Sequence, residues 1–259
     1  MPRFGFALIP LLLTLSSCMS YDLGLEPEVS PSRYGDSDPQ YFGDRHPAKH
    51  QIHGIDVSKW QGDINWNKLR RADIAFAFIK STEGGDHRDE RFDTYWHDAK
   101  RAGIPRGAYH FFYFCRPAIE QAQWFIANTP RDRSALPPVL DVEWNHHSKT
   151  CKLRPEPTTV RREMKVFLDA VEKHYGKRPL IYTTVDFHRQ NLEGHFAEYQ
   201  FWLRSVADHP DNVYHRRTWH FWQYTGTGRV PGIDGDTDIN VFVGNKDQWA
   251  KWLQSARSP

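Results

Sequence analysis

Leu136-Pro137-Pro138-Val139-Leu140-Asp141-Val142-Glu143-Trp144 is an apolar run that ends in two acids. Residues 139–143 have the character of a buried strand. Side chains alternate across a strand, so Asp141 and Glu143 leave the same face, with Cα atoms about 6.7 Å apart at roughly 3.4 Å per residue. Two like charges on one face repel. That repulsion raises the pKa of one member, as a general acid working near neutrality requires. A plainer alternative stands beside it: two acids at a strand end, paired with arginine or capping the helix that follows.

Outward from this stretch, short apolar runs alternate with amphipathic segments from His53 onward, the pattern of a parallel sheet with crossover helices. Strands are expected at residues 54–57, 75–81, 107–114, 139–143, 180–183, 201–205, 220–224 and 237–241, eight in all. The clearest helix spans 159–175, where Val160, Met164, Phe167, Val171 and Tyr175 form one stripe and Gly176 and Pro179 end it. Other helices are expected at 65–71, 89–102, 118–128 and 246–253, and none comparably clear follows the fifth strand. These expectations describe an α/β fold: a TIM-like but irregular closed barrel forming a single catalytic domain over 51–253, with its chemistry at the carboxyl ends of the strands. There is no internal repeat. Glu83-Gly84-Gly85-Asp86 lacks the lysine and the spacing of a phosphate-binding loop, so no nucleotide cofactor is indicated.

Closure of such a barrel brings its first and eighth strands together. Asp56, in Gly54-Ile55-Asp56-Val57-Ser58, and Asp238, in Thr237-Asp238-Ile239-Asn240, then become neighbours on the rim, facing Asp141 and Glu143 across the mouth. Four acids from distant segments converging on one pocket are not a solvated surface. The closely spaced ligands of a calcium loop are missing, and no metal is expected. Acids opposed across an aromatic cleft are suited to cleaving a glycosidic bond, one protonating the leaving oxygen and another stabilising positive charge at the anomeric carbon. Tyr109, Tyr182, Trp202 and Trp222 stand at strand positions from which rings can lie against sugar faces, with ordinary packing as the alternative for each.

The 259 residues carry a net charge of +2, which offers no electrostatic case for nucleic acid. With 39% hydrophobic and 25% charged residues the composition is globular. Residues 1–17 read as a signal peptide, with Arg3 as a thin positive end and an apolar stretch over 4–15 too short to span a membrane. Leu15-Ser16-Ser17-Cys18 resembles a bacterial lipobox, so Cys18 is the expected lipidated terminus of a protein anchored to the membrane. Because Met19 is not aspartate, sorting to the outer membrane is expected in cells with two membranes; a secreted or periplasmic protein is the alternative. Residues 18–50, rich in Pro, Ser, Asp and Gly, read as a lipidated cysteine and a flexible linker. With Cys18 lipidated, Cys115 and Cys151 remain as a pair in an oxidising compartment, where a disulfide is expected and two buried thiols are the alternative. A zinc site using His146, His147 and Cys151 fits no familiar ligand spacing.

Gly54-Ile55-Asp56-Val57-Ser58-Lys59-Trp60-Gln61-Gly62, Phe78-Ile79-Lys80-Ser81-Thr82-Glu83-Gly84, Gly107-Ala108-Tyr109-His110-Phe111, Asp141-Val142-Glu143, Pro179-Leu180-Ile181-Tyr182-Thr183, Trp222-Gln223-Tyr224-Thr225 and Thr237-Asp238-Ile239-Asn240-Val241-Phe242 resemble, in order, the motifs of glycoside hydrolase family 25, the lysozymes. The resemblance implies a (β/α)5(β)3 barrel and hydrolysis of the β-1,4 bond from N-acetylmuramic acid to N-acetylglucosamine in peptidoglycan. It implies Glu143 as acid/base, Asp141 as the neighbouring carboxylate, and Asp56 and Asp238 as the other two site acids. Whether Asp141 attacks the anomeric carbon or positions the substrate's acetamido group stays open. Residues 145–157 depart from the family pattern, which points to an altered glycan or peptide-stem preference. The expected partners are peptidoglycan strands and, through the lipid, a membrane; a monomer without cofactor is expected. A non-catalytic glycan-binding barrel and a hydrolase of chitin-like polysaccharide are the competing functions.

Overall fold

The computed structural model describes residues 1–2, 33–146 and 148–257. Cys18, the expected signal peptide and His147 lie outside the described residues.

Eight strands close into a barrel: β2 (His53–Val57), β3 (Ile74–Glu83), β5 (Arg106–Phe111), β6 (Val139–Val142), β7 (Leu180–Thr184), β8 (Gln200–Arg204), β9 (Phe221–Arg229) and β10 (Thr237–Phe242). Two short strands, β1 (Gly35–Asp36) and β4 (His87–Arg88), flank β9 and β3. From β2 through β9 the neighbours run parallel, and β8 pairs with β9. Then β10 runs antiparallel between β9 and β2 and shuts the ring. Five strand–helix units come first, with α1 (Trp66–Arg71), α2 (Phe92–Arg101), α3 (Ala118–Asn128), α4 (Pro157–Tyr175) and α5 (Val185–Asn191). Only the single turn α6 (Pro210–Val213) lies between the last three strands, and α7 (Lys246–Arg257) follows them. This is the irregular barrel expected.

Alternation along the strands divides the core in two. Outward residues such as Ile55, Ala77, Leu140, Ile181 and Leu203 meet the helices, whose stripes supply Phe125, Val160, Met164, Phe167 and Val171. Inward residues Phe76, Phe78, Val139, Leu180, Trp202, Phe221 and Phe242 fill the barrel, and Trp249 and Trp252 of α7 plug its bottom. Both faces are therefore apolar, as parallel strands covered on two sides require. Gly54 is forced by this filling, since a Cβ there would lie 2.5 Å from the ring of Phe76. Helix α4 begins at Pro157, two residues earlier than its apolar stripe indicates, because proline suits the first helical turn. Gly176 ends it with φ +67°, a left-handed conformation glycine adopts without strain.

The linker expected over 18–50 needs correction in its described part. Tyr34 is buried and donates its hydroxyl to the Ala72 carbonyl at 2.9 Å, Gly35 and Asp36 pair with Arg229 and Gly228, and Phe42 packs on Trp222 at 5.1 Å. Two isolated aromatic anchors pin a segment whose composition shows no periodicity. No described helix is long and apolar enough to cross a membrane.

Candidate active site

Each acid reaches the mouth for a local reason. Asp141 is inward on β6, and Glu143 lies just past the last ladder residue of that strand. Asp56 is inward near the end of β2, and the antiparallel register sets Asp238 directly opposite it. The antiparallel run of β10 is what delivers its first residues, not its last, to the catalytic rim.

A polar layer beneath the mouth fixes Asp56. Its Oδ2 accepts from Gln223 Nε2 at 2.9 Å and from Asn240 Nδ2 at 2.8 Å. The other ends of those amides are oriented in turn: Tyr182 donates to Gln223 Oε1 at 2.9 Å, and Trp202 Nε1 donates to Asn240 Oδ1 at 2.7 Å. Burial outweighs these donors and pushes the Asp56 carboxyl up to about 6. Asp141 is lifted well above the carboxylate range by burial and by Glu143, and its Oδ1 is buried without a hydrogen-bond partner among the described residues. Asp238 is raised by burial and by Asp56. Glu143, partly exposed to the cleft, makes no ion pair with a described residue; burial lifts it to about 7, with Arg204 opposing the rise. A carboxyl held protonated near neutrality beside a second, unpartnered one can deliver a proton while its neighbour faces developing positive charge.

The structure separates the four expected aromatics. Tyr109 and Tyr182 face the interior below the acids, and burial together with the surrounding acids keeps both hydroxyls neutral. Trp202 is 1% exposed and stacked on Phe78 at 4.5 Å, so its ring meets no sugar; its contribution is the hydrogen bond to Asn240. Trp222 is 0% exposed and turned to the outer face among His50, His209 and Trp219, which removes it from the cleft. Strand β9 reads Phe221-Trp222-Gln223-Tyr224-Thr225, and aromatics on both parities hide which face is inward.

Other residues at the mouth escaped the sequence reading. Lys80, inward on β3, pairs with Glu83, which also accepts from Tyr113; Asn145 Nδ2 donates to the Tyr113 hydroxyl at 2.9 Å. This chain links the end of β3 to the segment after Glu143. Trp60, four residues beyond Asp56, is 80% exposed. Lys80, Glu83, Trp60, Gln223 and Asn240 all lie inside the quoted motifs, and strand parity counted from Asp56 and Asp141 is the signal that singles out the inward ones. Cys115 and Cys151 form a disulfide with Cα atoms 5.7 Å apart, tying the loop after β5 to the segment that follows Glu143, of which residues 144–146 and 151–154 line a groove beside Glu143. Among the described residues no group of three or more His, Cys, Asp or Glu is arranged to hold a metal ion.

A closed barrel with four acids gathered at its carboxyl-end mouth has the groups that acid-catalysed cleavage of sugar chains needs. The profile of glycosyl hydrolases family 25 matches residues 55–233. Lysozyme M1 of Streptomyces globisporus is 38% identical over 208 residues, 75% of this chain and 68% of its own length. The YegX protein of Escherichia coli is 37% identical over 221 residues, covering 83% of this chain and 78% of its own. A solved family 25 glycosyl hydrolase from Bacillus anthracis superposes with a TM-score of 0.75 at 35% identity, over 84% of this chain and 98% of that one. The chain belongs to glycosyl hydrolase family 25 and is a glycoside hydrolase. Asp238 lies beyond the residues that the profile matches, and its pairing with Asp56 is what brings it to the mouth.

Proposed function

We propose that this protein is an exported muramidase that hydrolyses the β-1,4 bond between N-acetylmuramic acid and N-acetylglucosamine in peptidoglycan. The observation that carries the reading is Glu143: a partly exposed carboxyl that forms no ion pair with a described residue, lifted to about 7 by burial against the opposing charge of Arg204, beside the buried Asp141 Oδ1, which has no hydrogen-bond partner among the described residues. In this reading Glu143 protonates the glycosidic oxygen. Asp141, on the same strand face, either attacks the anomeric carbon or accepts the acetamido N–H so that the acetamido oxygen attacks. Asp56 and Asp238 add negative potential where positive charge develops on the sugar ring. Kinship with lysozymes and muramidases supports peptidoglycan as substrate. Export follows from the segment 1–17, and lipidation of Cys18 would hold a monomeric enzyme at the membrane, on the outer membrane in a two-membrane cell; labelling with a radioactive fatty acid, lost in Cys18→Ser, tests the anchor.

Purified sacculi incubated with the protein should release muropeptides that end in reducing muramic acid. Release of reducing N-acetylglucosamine, or binding without shortening of the glycan, contradicts the proposal.

A further inference from the structure

A groove opens on one side of Glu143, floored by the ends of β7 and β8 and walled by residues 144–146 and 205–208. Its charges divide unevenly by partner. Asp186 accepts from Thr184 Oγ1 at 2.7 Å and faces His146 at 3.6 Å, and Asp208 accepts from Asn212 Nδ2 at 2.7 Å. Both acids are engaged. Arg204 differs: it is the inward residue at the end of β8, between outward Leu203 and buried Ser205, and its guanidinium makes no hydrogen bond or ion pair with a described residue. Arg189 of α5 lines the same groove, exposed and likewise without such a partner.

An arginine on the inner face of a barrel mouth forgoes much of its hydration, and the planar fork of donors is matched by a carboxylate taken bidentately. Glu143, Asp56 and Asp238 feel its charge, but no carboxylate among the described residues forms an ion pair with it. Resting on the muramidase reading, we propose that Arg204, with Arg189 at the groove's outer edge, binds a substrate carboxylate next to the scissile bond and thereby selects acid-bearing glycans over neutral ones. Muramic acid offers that chemistry from two sources: the lactyl group at O3, where no peptide is attached, and the carboxylates of the peptide stem where one is. Neutral chitin-type chains offer neither.

The test compares KM on four soluble glycan strands: stem-bearing, stem-free after amidase treatment, and each of these with its carboxylates converted to amides by carbodiimide and ammonia. Wild-type enzyme should show KM about 10- to 100-fold higher on amidated strands, the range of a charge-assisted hydrogen bond. In Arg204→Gln that ratio should collapse toward one, and Arg204→Lys should restore part of it. Sensitivity to amidation on stem-free strands identifies the lactyl carboxylate; sensitivity on stem-bearing strands alone identifies the peptide. A ratio kept by Arg204→Gln overturns the assignment, as does a wild-type enzyme indifferent to amidation. If Arg204→Gln instead changes kcat equally on every strand and displaces its pH profile, Arg204 acts on Glu143 and not on substrate, which also overturns it. Absence of any cleavage of sacculi by wild-type enzyme defeats the muramidase reading itself and is separately visible.

Discussion

Asp56 and Asp238 stand directly opposite each other across the antiparallel pair that closes the barrel. Like charges so placed repel, and the repulsion adds to burial in raising Asp238. Folding therefore binds a proton at Asp238 more tightly than the unfolded chain does. The resulting stabilisation is fully present at pH below the ordinary aspartate value and is lost as pH rises through the higher folded one.

Asp238→Asn removes one of the two charges. It should raise the thermal midpoint at pH 8 by up to about 4 °C, from about 0.2–1 kcal/mol for an opposed like-charge pair, and leave it unchanged at pH 3. Scanning calorimetry at both pH values checks this, and an equal shift at the two would deny the electrostatic cause.

Glu143 acts protonated and Asp141 ionised in the proposed mechanism, so kcat/KM should fall tenfold per unit above about 7, as Glu143 loses its proton, and should fall also on the acid side, as the raised Asp141 gains one. Glu143→Gln should lower kcat by about 10²- to 10⁴-fold with the fold intact. Stability adds a second readout with a definite sign. Because the folded value exceeds the ordinary 4.5, Glu143 contributes stability that is lost between pH 4.5 and about 7, so the variant, which keeps the raised Asp56, Asp141 and Asp238, should decline less steeply over that window than wild type. Full activity in Glu143→Gln rejects the assigned role.

Trp202 serves the site through Asn240. Trp202→Phe keeps most of the stacking on Phe78 and deletes the Nε1 donor, leaving Asn240 Oδ1 buried and unsatisfied at a cost of about 1–3 kcal/mol. Freed from that donor, the Asn240 amide holds Asp56 less firmly. Since its hydrogen bond lowers Asp56, the Asp56 carboxyl should titrate above about 6 in the variant. Carbon-13 titration of the side-chain carboxyls measures this directly, and an unmoved Asp56 would refute the relay.

What the sequence discloses and what it hides follow from burial. Asp141 and Glu143 declare their common face because charge interrupts an apolar run, and helix α4 declares its stripe because its other face is wet. Trp222 gave no such sign: β9 is covered on both sides, so alternation carries no polar contrast there. Residues 33–50 misled for the opposite reason, since single anchors such as Tyr34 leave no period to detect. Arg204 was invisible without coordinates because an arginine at a strand end is ordinarily solvent-facing, and only the register with Thr184 and Gln223 turns it inward.

The Cys115–Cys151 disulfide spans 36 residues of chain, for which loop-closure entropy gives an upper contribution of about 3–4 kcal/mol. Cys115→Ala with Cys151→Ala should lower the thermal midpoint by about 5–10 °C. Because residues 144–146 and 151–154 line the groove beside Glu143, KM should rise as that wall loosens, while kcat changes less. Dithiothreitol should reproduce both effects in wild type and neither in the variant. A reductant-insensitive wild type would show that the pair does not brace the groove.

Trp60 is the exposed ring that the rim does present. It sits on the 3-10 turn Lys59–Gln61 directly after β2, held where Ser58 N–H donates to Gln61 Oε1 at 2.9 Å and Gln61 Nε2 reaches the Asp236 carbonyl at 3.4 Å. That turn is tied to both acid-bearing strands, so the backbone that carries the ring is held relative to Asp56 and Asp238. Lys59 Nζ lies 5.4 Å from the ring and is drawn toward Glu90 at 3.1 Å. An apolar ring face left open at the edge of an acidic mouth suits the carbohydrate face of an extended strand. Trp60→Ala should raise KM on long glycan strands about 2- to 10-fold, from about 0.5–1.5 kcal/mol of lost ring contact, and alter kcat little, because the ring is remote from the reacting bond. The thermal midpoint should stay within about 1 °C, since the side chain buries almost nothing. Short substrates that do not reach the rim should be hydrolysed as by wild type. A loss that is equal on short and long strands would place Trp60 in the folding of the turn and not in the grip on the glycan.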